Sequence, residues 1–302
     1  MNILRAWRKR SWHDIDASEY SKAYASYGGS VITHPHIIKK ISDITNMPLR
    51  YLAQHQNGKL VAAIPIWGSY IAGSKKALRK AGKNRIIDFG NPEVMLPLEK
   101  NWTGAIPFQG DFLSHVHHGR VHSLKPSSSK SICLARSYKP GENGLSKKFK
   151  YNKRRELRLL QEHGGKIIPV SELSTGDFCQ TYIHLFRARW GFDIKGAENL
   201  HLVLESIRDH LVGHIVTINN TPAAIQLLLK AESPEWVSVE YINGGVDPGF
   251  NKYSPGSVLS YLHTSQLEDY AISQNKYLRF SFGKSDKEYK DRWCYRSPVY
   301  KT

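Results

Sequence analysis

The sequence predicts an α+β protein of two domains, with mixed sheets flanked by helices. Three observations support this fold class. A unit of helices followed by a β-hairpin occurs twice, which indicates a duplicated domain. A strand, a helix and a second strand follow one another near the carboxyl end, in the order of a right-handed crossover. The chain has 302 residues, 40% of them hydrophobic, which is enough for two globular units.

The first unit consists of two helices and a hairpin. Asp16 and Glu19 have the spacing of a capping box, which predicts the start of a helix. After Pro35, isoleucines recur at helical spacing and predict a second helix. Asn57-Gly58 lies between two apolar runs and is the strongest short signal of a hairpin. The two predicted strands are 49–55 and 59–67.

The second unit repeats this order from about Ser174 onward. Two apolar periodic segments predict helices, and Asn219-Asn220 predicts the turn of a hairpin. A third strand follows the hairpin. The predicted helices are 177–190 and 198–211, and the predicted strands are 214–218, 223–230 and 236–242.

The boundary between the units is predicted from local composition. Turn-forming residues cluster at 126–129 and again at 140–144, on either side of a short strand-like segment. We place the domain boundary there. The predicted domains are 1–130 and 131–302.

The most basic segment is a predicted helix at 145–163, with seven cations and two acids. This helix could line a groove that binds the anionic tRNA, or it could lie against acidic lipid headgroups. A solvated charged face would explain the same residues. We expect an anionic partner to bind at four of these cations: Lys147, Lys148, Lys153 and Arg154. A smaller interfacial cluster at the amino terminus comprises Trp7, Arg8, Lys9, Arg10 and Trp12.

Composition restricts the compartment and the partners. Lys and Arg number 43 and Asp and Glu 26, and the formal net charge of +17 attracts lipid headgroups, nucleic acid or acyl-carrier phosphates. Cys133, Cys179 and Cys294 are far apart and odd in number, which argues against a disulfide framework or a Cys-rich zinc site. No segment has the apolar length of a membrane span. We expect a cytoplasmic protein, dissolved or peripheral on a membrane.

The final unit, helix 257–272 and strand 276–282, locates the candidate site. If this strand and 236–242 are the two strands of the crossover, the Pro255-Gly256 turn lies at the carboxyl end of the first. Open α/β sheets bind ligands at that position. The turn is therefore the predicted centre of a transferase site.

Two kinds of group at this turn could act in acyl transfer. Tyr253 could protonate a leaving group. Unpaired backbone amides could hold a donor phosphate or an oxyanion. An ordinary capped helix, with Ser254 as N-cap and Pro255 at N1, explains the same residues. The amides predicted to bind the cofactor are those of Gly256, Ser257 and Val258.

The strand at 236–242 offers a candidate base. Period-two alternation places Ser238 and Glu240 on one face, so Glu240 is a carboxylate on a central strand and the first choice as a general base or amine-orienting group. Arg279 on the neighbouring strand could bind a donor phosphate or a substrate carboxylate. A buried ion pair between Glu240 and Arg279 is the structural alternative.

Four histidines within eight residues invite interpretation as a zinc site; they are His115, His117, His118 and His122. No spaced carboxylates accompany them, and free loops often contain such residues. We therefore expect no metal site. The sequence also lacks the G-x-S-x-G elbow of many Ser-His-Asp hydrolases.

Three runs of the second half carry a resemblance to known families: Val239-Glu-Tyr-Ile-Asn-Gly-Gly-Val-Asp-Pro248, Ser254-Pro-Gly-Ser-Val-Leu259 and Tyr289-Lys-Asp-Arg-Trp-Cys294. The second half, from Leu145 onward, resembles the acetyltransferase-like (GNAT-type) domain of FemAB-like transferases, which pass acyl or aminoacyl groups to amines. Nearly the whole chain is similar to the Mig-type (macrophage-inducible gene fourteen) proteins, bacterial factors for resistance to cationic antimicrobial peptides. The resemblance implies tandem acetyltransferase-like domains in a FemAB-like arrangement, the first of them degenerate.

The resemblance also implies a reaction, namely acyl or aminoacyl transfer to an envelope or peptide amine. Lys290 matches the lysine of the Tyr-Lys-x-Arg-Trp segment in FemAB-like proteins and could stabilise an oxyanion. A solvated lysine in a terminal loop is the alternative. The Q/R-x-x-G-x-G/A motif of acetyltransferases is replaced here by Asn251-x-x-Ser254-x-Gly256. The donor is therefore left open between acyl-CoA and aminoacyl-tRNA.

The resemblance implies a cytoplasmic protein on the inner face of the inner membrane. Its expected partners are the anionic membrane surface, the donor, and a cationic peptide or an envelope precursor. Two other functions compete with transfer: a non-catalytic membrane-surface binding protein on a transferase fold, and a nucleic-acid-binding regulator that depends on the +17 charge. No sequence-specific DNA-binding motif is present.

Overall fold

A computed structural model describes residues 11–86, 88–139, 141, 144–286 and 288–302. Within these residues the chain forms an α+β fold with two sheets flanked by helices, as the sequence predicts. The part of the interfacial cluster from Trp7 to Arg10 lies outside the described residues, as does part of the predicted turn at 140–144.

The first half forms the predicted helices and hairpin. The first helix begins at the capping box, where the Asp16 carboxylate accepts a hydrogen bond from the Glu19 amide at 2.8 Å. Asn57 and Gly58 both have positive φ, as a tight hairpin turn requires. The elements are α1 (Ala17–Tyr27), α2 (Pro35–Thr45), β1 (His13–Ile15), β2 (Leu49–Gln56), β3 (Lys59–Trp67) and β4 (Tyr70–Ile71). The four strands pair in chain order, each antiparallel to the next.

The second sheet takes strands from both halves of the chain, nine of them among the described residues. They are β5 (Leu113–Ser114), β6 (Lys125–Ala135), β7 (Gly165–Pro169), β8 (Leu211–Val212), β9 (His214–Ile218), β10 (Thr221–Glu232), β11 (Trp236–Val246), β12 (Tyr277–Lys284) and β13 (Cys294–Lys301). Their order is β5-β13-β6-β12-β11-β10-β9-β7, and β8 pairs with β10. β11 and β12 are parallel, and the other pairs in the described parts are antiparallel.

Helices cover both faces of this sheet. The remaining helices are α3 (Lys75–Lys80), α4 (Lys147–Glu162), α5 (Thr175–Trp190), α6 (Leu200–Ser206) and α7 (Pro255–Ser273). α5 packs on one face of β10 and β11 together with the helices of the first half, whereas α7 covers the other face. Within the described ranges, no helix has the length and apolar character needed to cross a bilayer.

Several segments differ from the sequence prediction. Residues 126–129, predicted as a turn, lie inside β6, and residues 294–301, for which no element was predicted, form β13. These two strands pair with each other, so non-local pairing overrides the local turn preference. The helix predicted at 198–211 ends at Ser206. The boundary predicted after residue 130 also lies within β6.

β11 and β12 separate beyond a short parallel ladder. They pair from Trp236 and Tyr277 to Glu240 and Ser281, where the ladder ends in the described part of the chain. On its other edge β11 carries an extra residue, Ile242, against β10, and such a bulge bends a strand. The first turn of α7 stands above the opening. The fold therefore leaves a cleft at the carboxyl end of β11.

Candidate functional site

The cleft where β11 and β12 separate has a volume of about 490 Å³. Arg189 is the cation in its wall, and none of its described lining residues is acidic. Such a lining suits an anionic group, because hydrogen-bond donors and a guanidinium attract it and no carboxylate repels it. The polar lining residues are Arg189, Gln226, Asn251, Ser254, Ser257 and Ser260, and the aromatic ones are Tyr241, Phe282 and Trp293.

The first turn of α7 forms the roof of the cleft. Ser254 is the N-cap residue, but it has a left-handed backbone (φ 50°, ψ 43°) and its side chain makes no capping hydrogen bond. The amides of Ser257 and Val258 both donate to the Ser254 carbonyl, at 2.9 and 3.0 Å. Pro255 has no amide hydrogen. Of the three amides predicted to bind the donor, those of Ser257 and Val258 have this partner, and only that of Gly256 lacks one among the described residues.

The floor of the cleft carries the buried side-chain amide of Gln226, and a chain of hydrogen bonds fixes its orientation. The His214 amide donates to His263 Nε2 at 2.9 Å. Burial, followed by the nearby His214, lowers the pKa of His263 to about 3, so its ring is neutral and carries its proton on Nδ1. That proton is donated to Gln226 Oε1 at 2.8 Å. Gln226 Nε2 must therefore point toward Ser260 Oγ, 2.9 Å away in the cleft.

Helix α4 brings one predicted anion-binding lysine to the edge of the cleft. The Lys153 side chain is 13% exposed, and its Nζ donates to Ser257 Oγ at 2.6 Å and to the Glu156 carboxylate at 2.8 Å. The same ammonium lies 5.3 Å from the ring centroid of Trp293. Lys153 is thus an interior residue that joins α4 to α7. The other residues predicted to bind an anionic partner are exposed: Lys147, Lys148 and Arg154.

Glu240, the predicted base, lies on the opposite face of β11 from the cleft. It is buried under the first half, where its Oε1 accepts a hydrogen bond from the Glu93 amide at 2.8 Å. Burial, and next the charge of Glu93, raise the pKa of Glu240 well above its usual value. A neutral acid enclosed on this face cannot take a proton from an amine in the cleft. The structure therefore places Glu240 away from the cleft in which the sequence analysis expected it to act.

Arg279 pairs with an acid that sequence analysis did not consider. Its Nε donates to Glu93 Oε2 at 3.0 Å, and its Nη2 donates to Glu93 Oε1 and, at 3.3 Å, to Ser114 Oγ. The side chains of Arg279 and Glu93 are only 11% and 2% exposed. The buried ion pair is thus Arg279–Glu93 instead of Arg279–Glu240. Arg279 thus faces Glu93 and Ser114, and it is absent from the described lining of the cleft where a donor phosphate was expected.

Lys290 and Tyr253 lie near the cleft without lining it. Lys290 Nζ donates to the carbonyls of Phe282 and Lys284, at 2.9 and 2.7 Å, so it holds the end of β12. Its side chain is 12% exposed, which excludes a solvated lysine in a loop. Tyr253 packs against the ring of His163, with the ring centroids 5.0 Å apart. The predicted catalytic residues all lie outside the cleft lining: Glu240, Tyr253 and Lys290.

The four clustered histidines point to different surroundings. His117 is buried, and its Nε2 accepts a hydrogen bond from the Leu96 amide at 2.9 Å. His115 and His118 stack on the ring of Tyr300. In the described segments, no group of three or more His, Cys, Asp or Glu residues is placed to hold a metal ion.

The cleft residues that sequence reasoning missed come from separate elements. Arg189 lies at the end of α5, Gln226 on β10, and Trp293 just before β13. Gln226 carries a signal, because it is a single polar residue within the apolar run 223–229. Trp293 lies in the Tyr-Lys-x-Arg-Trp segment that carries the resemblance, but the sequence analysis gave it no role. Arg189 carries no local signal, since only the tertiary packing brings it to the opening between β11 and β12.

Comparisons with known proteins give a family and a fold for the chain. A family model described as Mig-14 matches residues 34–302. The crystal structure of FemX aligns with a TM-score of 0.58 and 10% identity, covering 96% of each chain. The C-terminal domain of a putative lysylphosphatidylglycerol synthetase from Agrobacterium fabrum aligns with a TM-score of 0.50 and 10% identity, covering 94% of this chain and 90% of that one.

A tandem GNAT protein from the clavulanic acid biosynthesis pathway aligns with a TM-score of 0.46 and 7% identity, covering 96% of this chain and 97% of that one. No curated protein sequence matches the chain. The likeness to FemX confirms the FemAB-like α+β fold that the resemblance implied.

Proposed function

Because this chain belongs to the Mig-14 family and has the FemX fold, we propose that it is an acyl or aminoacyl transferase whose donor binds in the cleft below α7. The lining of the cleft is the main support. Hydrogen-bond donors and a guanidinium surround it, and no acid is among its described lining residues. Both predicted donors, acyl-CoA and aminoacyl-tRNA, carry phosphate, which such a lining attracts.

Two groups would contact the negative charge of the donor, and a third would position them. The unpaired Gly256 amide lies in the first turn of α7, where the aligned peptide dipoles favour an anion. Arg189 adds a positive charge from the end of α5. Gln226 Nε2, whose direction His263 fixes, donates to Ser260 Oγ at 2.9 Å and to the Gly256 carbonyl at 3.5 Å, so Gln226 would hold this turn in place for the donor. Preorganised donors of this kind also stabilise the oxyanion that develops on an acyl carbon under attack.

The acceptor amine must lose a proton during transfer. None of the described lining residues is a carboxylate or a histidine that could take this proton as a general base. In the proposed reaction the amine nitrogen attacks the acyl carbon and forms the new C–N bond. The C–O or C–S bond to the donor breaks, and the amine proton moves to the leaving oxygen or sulfur. The protein then contributes binding, orientation and charge stabilisation.

Incubation of the protein with labelled acyl-CoA or aminoacyl-tRNA and a peptide or envelope amine tests the transfer. We expect Gln226→Leu and Arg189→Met each to lower kcat/KM by about tenfold or more, because Gln226→Leu loses the contacts that hold the turn and Arg189→Met loses a hydrogen bond to a charged group, which contributes roughly 1.5–3 kcal/mol. Lys22→Met changes an exposed cation and should leave the rate unchanged. A folded protein that transfers neither group to any amine would refute the proposal.

We further propose that the reaction serves resistance to cationic antimicrobial peptides. Transfer of a simple acyl group to a peptide amine removes a positive charge, and each basic residue near an anionic membrane contributes about 1 kcal/mol to attraction. Bacteria that lack the protein should therefore be sensitised to such peptides. Wild-type protein should restore resistance and Gln226→Leu should not. If wild-type protein and Gln226→Leu restored resistance equally, resistance would not depend on the transfer reaction.

The exposed face of α4 supports a second function, which is binding to an anionic membrane surface. Its cations Lys147, Lys148 and Arg154 lie one helical turn from Tyr151, whose side chain is 58% exposed, and Leu159, further along the helix, is 39% exposed. A helix with this composition lies in the headgroup region of anionic bilayers. The face would hold the protein on the inner face of the inner membrane, with or without transfer.

Flotation with anionic and neutral liposomes tests this second function. Changing Lys147, Lys148 and Arg154 to Glu should abolish most binding to anionic vesicles, since each cation contributes about 1 kcal/mol near the surface. A control with equal net charge changes three other exposed lysines to Glu: Lys22, Lys80 and Lys301. If the control loses as much binding, net charge rather than α4 is responsible.

A further inference from the structure

A second pocket, of about 280 Å³, lies in the first half of the chain. No residue of its described lining also lines the cleft below α7, so it is separate from the proposed transfer site. Its described lining has a surplus of positive charge, which attracts an anion. The four cations are Lys75, Lys76, Arg79 and Lys130, and the one carboxylate is that of Asp111.

Three of these cations come from a basic segment that begins with α3. Residues 75–85 contain six Lys or Arg and no acid. The apolar residues of the helix, Ala77 and Leu78, are buried. Lys75, Lys76 and Arg79 are exposed, so an anion in solution can reach them.

Two of the four cations are paired with acids. Lys75 Nζ lies 2.8 Å from Asp88 Oδ1. Lys130 Nζ lies 3.8 Å from Asp111 Oδ1. Exposed pairs of this kind contribute little to stability, but each acid offsets the charge of its partner. The surplus charge therefore lies on the other two cations.

Lys76 and Arg79 have no acidic partner among the described residues. Lys76 Nζ donates to the uncharged Gln109 side chain at 3.2 Å. The Arg79 guanidinium makes no ion pair or hydrogen bond with the described part of the chain. The two residues are three positions apart on α3, so their side chains are neighbours on one side of the helix. They form an accessible pair of positive charges at the pocket.

Phe112 contributes an aromatic ring to the same pocket. Its backbone has a φ of 59°, which is rare and strained for a bulky side chain. The Phe112 carbonyl accepts a hydrogen bond from the Val94 amide at 2.9 Å, and the Lys130 ammonium lies 5.3 Å from the centroid of the ring. The fold thus holds this ring at the pocket in spite of a backbone cost, which points to a role for the ring there.

Charge and size define the kind of ligand. A phosphate monoester carries a charge of about −1.5 to −2 at neutral pH, which matches the two unpaired cations. The volume of the pocket is close to the lower limit of small-molecule sites, about 300 Å³. Since only two cations are uncompensated, the further phosphates of a nucleic-acid strand would find no partner in this pocket. A small phosphate ester therefore fits these observations best.

We propose that this pocket binds a small phosphate monoester. Arg79 and Lys76 hold the phosphate, Arg79 with two parallel N–H groups and Lys76 as a point charge. The organic part of the ligand packs against the ring of Phe112. The proposal does not depend on the transfer reaction, because the cleft below α7 takes no part in it.

Calorimetric titration of the full-length protein with phenyl phosphate, inorganic phosphate and benzoate at constant ionic strength tests the proposal. We expect saturable binding that is tightest for phenyl phosphate, because inorganic phosphate has no ring to pack on Phe112 and benzoate has a single charge. The double variant Lys76→Met/Arg79→Met should weaken this binding by about tenfold or more. The matched control Lys80→Met/Arg85→Met removes the same charges from exposed positions outside the described lining, and it should leave the affinity unchanged.

Two further measurements separate this site from the rest of the protein. Arg189→Met changes the cleft and should leave the binding of phenyl phosphate to this pocket unchanged. Thermal unfolding checks that the variants are folded. Because Lys76 and Arg79 are exposed, the melting temperature of their double variant without ligand should equal that of the wild type.

Several outcomes would overturn the proposal. One is equal affinity for phenyl phosphate in Lys76→Met/Arg79→Met and wild type. Another is an equal loss in the matched control, since net charge rather than the pocket would then bind the anion. A short RNA oligomer that binds more tightly than phenyl phosphate, and is weakened by both double variants, would assign the basic segment to nucleic acid instead. The absence of a saturable response to phenyl phosphate at millimolar concentration would also refute the site.

Discussion

At the scale of single residues, the fold keeps one carboxyl group neutral. Glu240 and Glu93 share a closed interior with one guanidinium, that of Arg279. Arg279 pairs with Glu93, so a second negative charge would have no partner, and like charges at close range cannot both ionise cheaply. The proton therefore stays on Glu240. This acid is a structural group that joins β11 to the loop containing Glu93.

Glu240→Gln should stabilise the protein at neutral and alkaline pH. Since the folded-state pKa of Glu240 is raised, its contribution to stability is fully present below the usual value of 4.5 and is lost as pH rises through the folded-state pKa. Glutamine keeps an acceptor for the Glu93 amide and has no charge to bury. The free energy of unfolding of the variant, relative to wild type, should rise by at most about 1.4 kcal/mol per pH unit.

Urea unfolding across a pH series measures this difference. Glu198→Gln removes an exposed carboxylate and should show no such rise. A difference between Glu240→Gln and wild type that does not change with pH would mean that Glu240 has an ordinary pKa in the folded protein.

Glu93→Gln should be far more disruptive than Glu240→Gln. It leaves the guanidinium of Arg279 buried without a counter-charge, and breaking a buried pair in this way costs about 3–5 kcal/mol. Arg279→Met in the same protein replaces the orphaned cation with an apolar chain and should recover most of the loss. A double-mutant cycle by urea unfolding measures the coupling. Strictly additive losses would show that the two side chains do not act as a pair.

Sequence reasoning predicted the faces of residues better than their roles. Alternation along β11 correctly places Ser238 and Glu240 on one face, where they accept hydrogen bonds from the amides of Val31 and Glu93. The pattern could not show what covers that face. Glu93 is 147 residues from Glu240 in the chain, so no local signal distinguishes a catalytic base from an acid held in the interior.

At the scale of elements, α4 has an inner and an outer face with different chemistry. Lys153 belongs to the inner face, between the rings of Phe149 and Trp293 at 5.2 and 5.3 Å. Lys153→Met should lower the free energy of unfolding by about 1–3 kcal/mol, because it loses these contacts and the hydrogen bond to Ser257. It should also weaken donor binding, since Ser257 lines the cleft.

Lys147→Met is the matched control for Lys153→Met, with the same change of charge on the exposed face of the same helix. In thermal and urea unfolding, Lys147→Met should have little effect on the free energy of unfolding. Equal destabilisation by the two variants would mean that helix propensity or net charge, rather than the position of Lys153, sets the stability of α4.

Elements with local signals are the ones that the sequence predicted well. The capping box at Asp16, the Asn57-Gly58 turn and the basic helix all depend on neighbours within a few residues. β13 depends instead on pairing with β6, which is distant in the chain. Helical spacing did contain one unused clue. Lys153 lies four residues from Phe149 and from Leu157, and both pack inward.

At the scale of the whole molecule, the two halves share a sheet and a core. Tyr20 and Ile37 of the first half belong to one buried cluster with Phe178 and Leu185 of α5. β5 and β6 join the large sheet by pairing with β13, the last strand of the chain. Each half therefore buries apolar surface that the other would expose to water.

The fragment 131–302 should consequently fail to fold cooperatively by itself. It lacks the first residues of β6, and it exposes both the apolar face of α5 and the face of β11 that carries Glu240. We expect the intact chain to unfold in a single transition, and the fragment to bind a hydrophobic dye and lack near-UV circular dichroism. Addition of the 1–130 fragment should restore that signal if the halves associate. A separate cooperative transition in the isolated 131–302 fragment would establish two independent domains.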